Sequence, residues 1–258
     1  MRFKVVLKLN VKTAGRVLPI SYQCELSNAI NWLLTSDRQL YRKWLQANNL
    51  TENDTHVFSP YSLSNLYVPH LFVFQDRMTI QVPRVQFWIS FHHNEWTLEY
   101  LNEALLNKRF DLGDHKSFVN FVVESITPVK SVDFAETMIY QSISPVNVAA
   151  VRNDNTIEYL NPDNNYFPQF IVEDLIERWE YINKKPYSGS KEFRFRQLFP
   201  SKRKAVKVIY NNHLTLVISH MLKFEMTMDP LLHEIAYDLG IGNDVYNGFG
   251  YIELLNKD

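Results

Sequence analysis

The chain has 258 residues, 46% of them hydrophobic and 14% aromatic. That is enough apolar mass for one large domain or two of ordinary size, and it excludes a disordered chain. Cys24 is the single cysteine, so an intrachain disulfide is excluded and no oxidising compartment is required. The net charge of −1 is unevenly spread: from Arg178 to Lys223 there are eleven Lys/Arg against only Glu180 and Glu192. A basic stretch of that extent is the footprint of a polyanion-binding surface more than of a merely solvated face.

The opening Met1-Arg2-Phe3-Lys4-Val5-Val6-Leu7-Lys8-Leu9 alternates apolar and basic side chains. The spacing predicts a strand from Arg2 to Val11, not a signal peptide. No apolar run approaches the ~20 residues needed to span a bilayer, and the expectation is a cytoplasmic, soluble protein with no membrane contact. Leu26, Ala29, Ile30, Leu33 and Leu34 mark an amphipathic helix, and Asp37 is placed to cap a second through Leu40, Tyr41, Trp44 and Leu45. Strands are expected around Val57–Leu63, Leu71–Phe74 and Val85–Ser90, a helix from Asn94 or Thr97, and a strand over Phe118–Ile126. The order β-α-β-β-α-β is the ferredoxin-like arrangement.

After Thr127-Pro128 the plan repeats less cleanly. A strand is expected over Glu136–Ile143 and a polar connection over Asn153–Asn165, then a helix over Tyr166–Asn183. Strands over Phe193–Phe199, Ala205–Tyr210 and Leu214–Met226 follow, with a hairpin turn at Asn211-Asn212. The fold class is α+β, two tandem ferredoxin-like (RRM-like) domains, residues 1–127 and 128–258.

The densest feature is near the C-terminus. Of seven glycines in the chain, Gly240, Gly242, Gly248 and Gly250 fall within a dozen residues. Asp229-Pro230 opens a helix through Leu231, Leu232, Ile235, Ala236 and Leu239, which Gly240 stops. Two readings stand: a loop whose amides cradle an anion, or a long turn with capping glycines.

Four landmarks together resemble the CRISPR-associated repeat-RNA endoribonucleases, the sixth Cas family of the repeat-associated superfamily. They are Leu18-Pro19-Ile20-Ser21-Tyr22-Gln23 with Leu26-Ser27, Tyr41-Arg42-Lys43-Trp44-Leu45, Ser144-Pro145-Val146, and Gly240-x-Gly242 through Gly248-Phe249-Gly250. The resemblance implies paired ferredoxin-like domains that bind the repeat of a CRISPR precursor transcript and cut it without a metal ion or cofactor. A ribose 2′-hydroxyl would attack the adjacent phosphodiester, leaving a 2′,3′-cyclic phosphate. Partners implied are precursor and mature guide RNA, an effector complex around them, and a monomer or homodimer.

The sequence departs from the family at its usual catalytic positions. Asn31 stands where the first helix often carries Tyr, and Gln46 where many relatives carry His; neither titrates near neutrality. His56 falls where relatives with the full trio place Lys, and is the best-placed group to exchange a proton near pH 7. Against that stands a packing or hydrogen-bonding role for the same imidazole. Lys43, one helical turn from Gln46, is the candidate charge stabiliser. The expected RNA contacts are Gly240, Gly242, Gly248 and Gly250, with Arg194 and Arg196 on one strand face and Lys202, Arg203 and Lys204 at a strand-to-strand turn. They are expected to rim a cleft between the two domains. Asp174 and Glu177, beside Arg178, read as solvated charges. A binding subunit that holds the guide RNA without cutting it is the alternative function.

Overall fold

The computed structural model describes residues 1–11, 14–93, 95–210 and 213–255, apart from the side chains of His56, Val57, Ile209 and Tyr210. The expected helix start at Asn94 and hairpin turn at Asn211-Asn212 lie outside the described residues. Two compact units make up the chain, Met1–Ser131 and Val132–Asp258.

The first unit runs β1 (Arg2–Leu9), β2 (Val17–Pro19), α1 (Gln23–Ser36), α2 (Arg38–Ala47), α3 (Glu52–Val57), β3 (Tyr61–Leu63), β4 (Leu71–Phe74), β5 (Arg77–Ile80), β6 (Arg84–Phe91), α4 (Thr97–Leu105), β7 (Arg109–Gly113) and β8 (Phe118–Pro128). Its main sheet is ordered β3-β6-β1-β8-β7 and is antiparallel throughout. The first four of these are the ferredoxin-like order, with β7 added at one edge. Phe3, Val5, Leu7 and Leu9 alternate into the core, as the sequence period dictates. The helices close over them: Trp44 of α2 stacks on Tyr100 of α4 at 5.1 Å, and its indole N–H donates to Thr97 Oγ1 at 2.9 Å.

α2 begins where Asp37 predicted, the carboxylate accepting from the amides of Gln39 and Leu40. The expected strand over Val57–Leu63 is corrected: only Tyr61–Leu63 is strand, and His56 sits in α3. The cause was present in the sequence, because Thr51 and Asp54 form a reciprocal capping box that nucleates a short helix.

The second unit runs β9 (Thr137–Ser142), β10 (Ala149–Val151), β11 (Ile157–Tyr159), α5 (Tyr166–Asn183), β12 (Arg194–Gln197), β13 (Lys202–Tyr210), β14 (His213–Met221), β15 (Lys223–Thr227), α6 (Pro230–Leu239) and β16 (Ile252–Leu254). Its sheet is ordered β12-β15-β9-β16, the same ferredoxin-like order as in the first unit. Phe167, Ile171, Leu175 and Trp179 recur along α5 as its buried stripe. The single strand expected over Leu214–Met226 is instead two. Leu222 interrupts it, its amide donating to Ser142 Oγ and its carbonyl accepting from the Ser142 amide. Upstream of that point β14 pairs with β13 as a separate hairpin, and downstream β15 joins the sheet. Among the described residues, no helix is long and apolar enough to cross a membrane.

Candidate nucleic-acid interface

The glycine-rich loop follows α6 directly. Asp229 caps that helix by accepting from the Leu231 amide, Pro230 occupies its first turn, and Gly240 ends it. Gly242 and Gly250 both have φ of +75°. A Cβ on Gly242 would lie 2.3 Å from the Asn147 carbonyl oxygen, and one on Gly250 would lie 2.2 Å from that of Ile241. The loop is folded against the segment after β9: Asn243 N–H donates to Asn147 O at 2.9 Å and Gly250 N–H to Pro145 O at 2.8 Å. Ile241 N–H closes it on itself by donating to Gly250 O, and Gly248 N–H donates to Val245 O.

All four glycines are buried. Their clustering follows from left-handed backbone and close chain approach, the plainer of the two sequence readings. The expected anion cradle is corrected at Gly248 and Gly250, whose amides are spent on Val245 O within the loop and on Pro145 O of the segment after β9. At the loop's outer rim Asn243 and Tyr246 are exposed.

Arg178 holds this loop from α5. Its guanidinium donates to Leu239 O and Gly240 O, both at 3.2 Å, and to Gly242 O at 2.7 Å. One turn earlier Asp174 pairs with it at 2.8 Å. Burial pushes the Asp174 carboxyl above its usual range, against the pull of Arg178. The reading of Asp174 as a solvated charge is corrected, and Arg178 leaves the set of free cations. The signal was the i,i+4 spacing of the two residues, which sequence reasoning passed over.

The remaining cations face outward. Arg194 and Arg196 are both exposed, on the same face of β12, but Arg196 is held by a two-pronged pair to Glu225 on β15, at 3.0 and 2.9 Å. Lys202, Arg203 and Lys204 are not in a turn; they are the first residues of β13, paired with Met221, His220 and Ser219. All three are exposed. Alternation puts Lys202 and Lys204 on one face of the hairpin and Arg203 with Lys207 on the other. Among the described residues no carboxylate forms an ion pair with Arg194, Lys202, Arg203 or Lys204.

In the first unit the helices α1, α2 and α3 carry the candidate chemistry. Lys43 and Gln46 are both exposed on α2, and the Lys43 ammonium lies 3.8 Å from the centre of the Trp96 ring. His56 belongs to the last turn of α3, with its side chain outside the described residues. Sequence reasoning missed two phenols here. Tyr41 O–H donates to Thr55 Oγ1 at 3.1 Å, and Thr55 in turn donates to Glu52 O. Tyr61 O–H, buried in β3, donates to Asn31 Oδ1 at 3.2 Å. Burial raises both phenols above their ordinary range, so they stay protonated and act as donors.

Comparison with solved structures places the fold. A structure described as CRISPR associated protein Cas6 superposes with a TM-score of 0.78 at 21% identity, covering 99% of each chain. A Cas6-related protein from Pyrococcus furiosus gives 0.77 at 17% identity over 100% of this chain and 99% of that one. A RAMP protein described as binding different RNA substrates gives 0.78 at 19% identity over 99% and 100%. No curated protein matches by sequence. Residues 127–254 match the family model described as CRISPR associated protein Cas6, C-terminal. With the glycine-rich loop inside that match, residues 127–254 belong to the Cas6 family of repeat-associated proteins.

Proposed function

We propose that the protein binds the repeat RNA of a CRISPR precursor transcript and cuts it by attack of a ribose 2′-hydroxyl on the adjacent phosphodiester. The observation that carries the binding half is the exposed group Arg194, Lys202, Arg203 and Lys204, with no carboxylate paired to it among the described residues. Cations on one hairpin and the neighbouring strand fit a phosphate backbone, which supplies most of the affinity of such complexes and makes it salt-dependent.

For cutting, His56 takes the 2′-hydroxyl proton, the 2′-oxygen bonds to phosphorus, and the phosphorus–5′-oxygen bond breaks as the 5′-oxygen takes a proton from water. Lys43, exposed and steadied over the Trp96 ring, offsets the charge that gathers on the phosphoryl oxygens. The products are a 2′,3′-cyclic phosphate and a 5′-hydroxyl. A second reading, binding without cutting within an effector complex, is favoured by Asn31 and Gln46, amides at the two positions where relatives often titrate.

Incubation with labelled repeat RNA in excess EDTA separates the readings. Cyclic-phosphate products that vanish in His56→Ala and fall in Lys43→Ala support cutting. Salt-sensitive retention of intact RNA supports the clamp. Equal affinity for repeat and random RNA removes both.

A further inference from the structure

The outward face of α1 holds a feature that the charge pattern does not use. Trp32 is 63% exposed, while Trp44 and Trp179 are buried and Trp88 and Trp96 are half-buried. Helical spacing places Asn28 and Thr35 beside both Asn31 and Trp32. Between Glu25, half-buried in the first turn, and Asp37 there is no acidic residue, and the Asp37 carboxylate is engaged by the amides of Gln39 and Leu40. The buried Tyr61 hydroxyl donates to Asn31 Oδ1 at 3.2 Å, and Asn31 is exposed, so its Nδ2 N–H groups are left for another acceptor. An exposed indole beside an oriented donor, ringed by amides and a hydroxyl, suits a base and its phosphate. An interface with another protein would call for a wider apolar surround.

We propose that α1 carries a single-nucleotide subsite for unpaired RNA, in which Trp32 stacks on a base and Asn31 Nδ2, set by Tyr61, donates to a phosphate oxygen. Trp32 and Asn31 contact the nucleotide, and Tyr61 is a positioning residue. The inference rests on the RNA-binding reading above and adds to it a place on the first unit where a base is held.

The probe is an unstructured oligouridylate, with complex formation followed by gel shift and tryptophan emission read in the same titration. The expected result is quenching that tracks the gel shift and disappears in Trp32→Ala. That variant weakens binding on the order of tenfold while Trp32→Phe retains most of the affinity, as stacking on any aromatic face predicts. Because the indole is largely in solvent, both variants fold like the parent. Tyr61→Phe is expected to weaken binding about threefold with quenching retained, since it releases the amide and leaves the stack. A gel shift with unchanged emission and no effect of Trp32→Ala overturns the subsite and leaves the RNA-binding reading standing; the exposed indole would then serve a protein contact. Absence of any gel shift at low salt, with oligouridylate and repeat RNA alike, overturns both.

Discussion

Arg178 Nη2 lies 2.7 Å from the carbonyl oxygen of Gly242, so a side chain of α5 fixes the backbone of the loop after α6. The same guanidinium reaches Leu239 O and Gly240 O and pairs with Asp174. Five N–H donors spread over a planar fork reach four partners here, more than the three donors on the single nitrogen of an ammonium can serve. Arg178→Ala would leave a largely buried carboxylate and three carbonyls without their donor. Denaturant unfolding is expected to show a loss of about 3 kcal/mol, with Arg178→Lys recovering only part. An unchanged midpoint in Arg178→Ala would show that the loop holds its shape without the clamp.

The glycines of that loop are separable by substitution. Gly242→Ala and Gly250→Ala each combine a φ of +75° with a Cβ inside van der Waals contact of a carbonyl. Each is expected to cost at least about 2 kcal/mol. Gly15 is the control: among the described residues a Cβ there would meet only the Phe118 carbonyl, at 3.9 Å, so Gly15→Ala should be neutral or slightly stabilising. Thermal melts of the three variants test the ranking.

Stability should fall on mild acidification. His233 is fully buried, with Nε2 donating to Glu136 O at 3.1 Å and Nδ1 accepting from Tyr140 O–H at 2.8 Å. Burial lowers its pKa, and the same cause, followed by the Arg203 charge, lowers that of His220. A lowered value in the fold means that the unfolded chain binds protons first as pH drops through about 6.5. The stabilisation is therefore complete above that pH and is lost progressively below it, towards the folded values. Melting temperature measured from pH 8 to pH 5 should decline, with a shallower decline in His233→Gln and in His220→Gln. Parallel curves for all three proteins would remove these groups as the cause.

RNA affinity should respond to the β13 cations by a fixed increment. Each phosphate contact on a single strand contributes about 0.7 to the slope of log affinity against log salt. Replacing Lys202 and Lys204, which share one face of the hairpin, by Ala is expected to reduce that slope by about 1.4. Arg196→Ala should change it far less, because Glu225 already neutralises that guanidinium. A slope that moves with Arg196 and not with the β13 cations would shift the contact surface to β12.

Much of the fold was legible because local rules and the tertiary fold agree. Asp37 caps α2, Asp229-Pro230 starts α6 and Gly240 ends it, and the period-two pattern of β1 buries Phe3, Val5, Leu7 and Leu9. The errors came where one run of β-prone residues served two sheets, as at Leu222, or where a polar tetrad capped a helix, as at Thr51 to Asp54. Short pairings such as β10 with β11 have too little sequence of their own to announce themselves.

By itself the sequence determined the two ferredoxin-like repeats, the basic segment and the glycine cluster, since periodicity, charge and composition are written one residue at a time. Which cations are spent and which remain was decided only by folding. Arg178 is consumed by three carbonyls and Arg196 by Glu225, while Lys202, Arg203 and Lys204 stay outside. Tyr61 reaches Asn31 from thirty residues along the chain. Pairings of that kind depend on which backbone passes within about 3 Å of which side chain, and no local pattern encodes that distance.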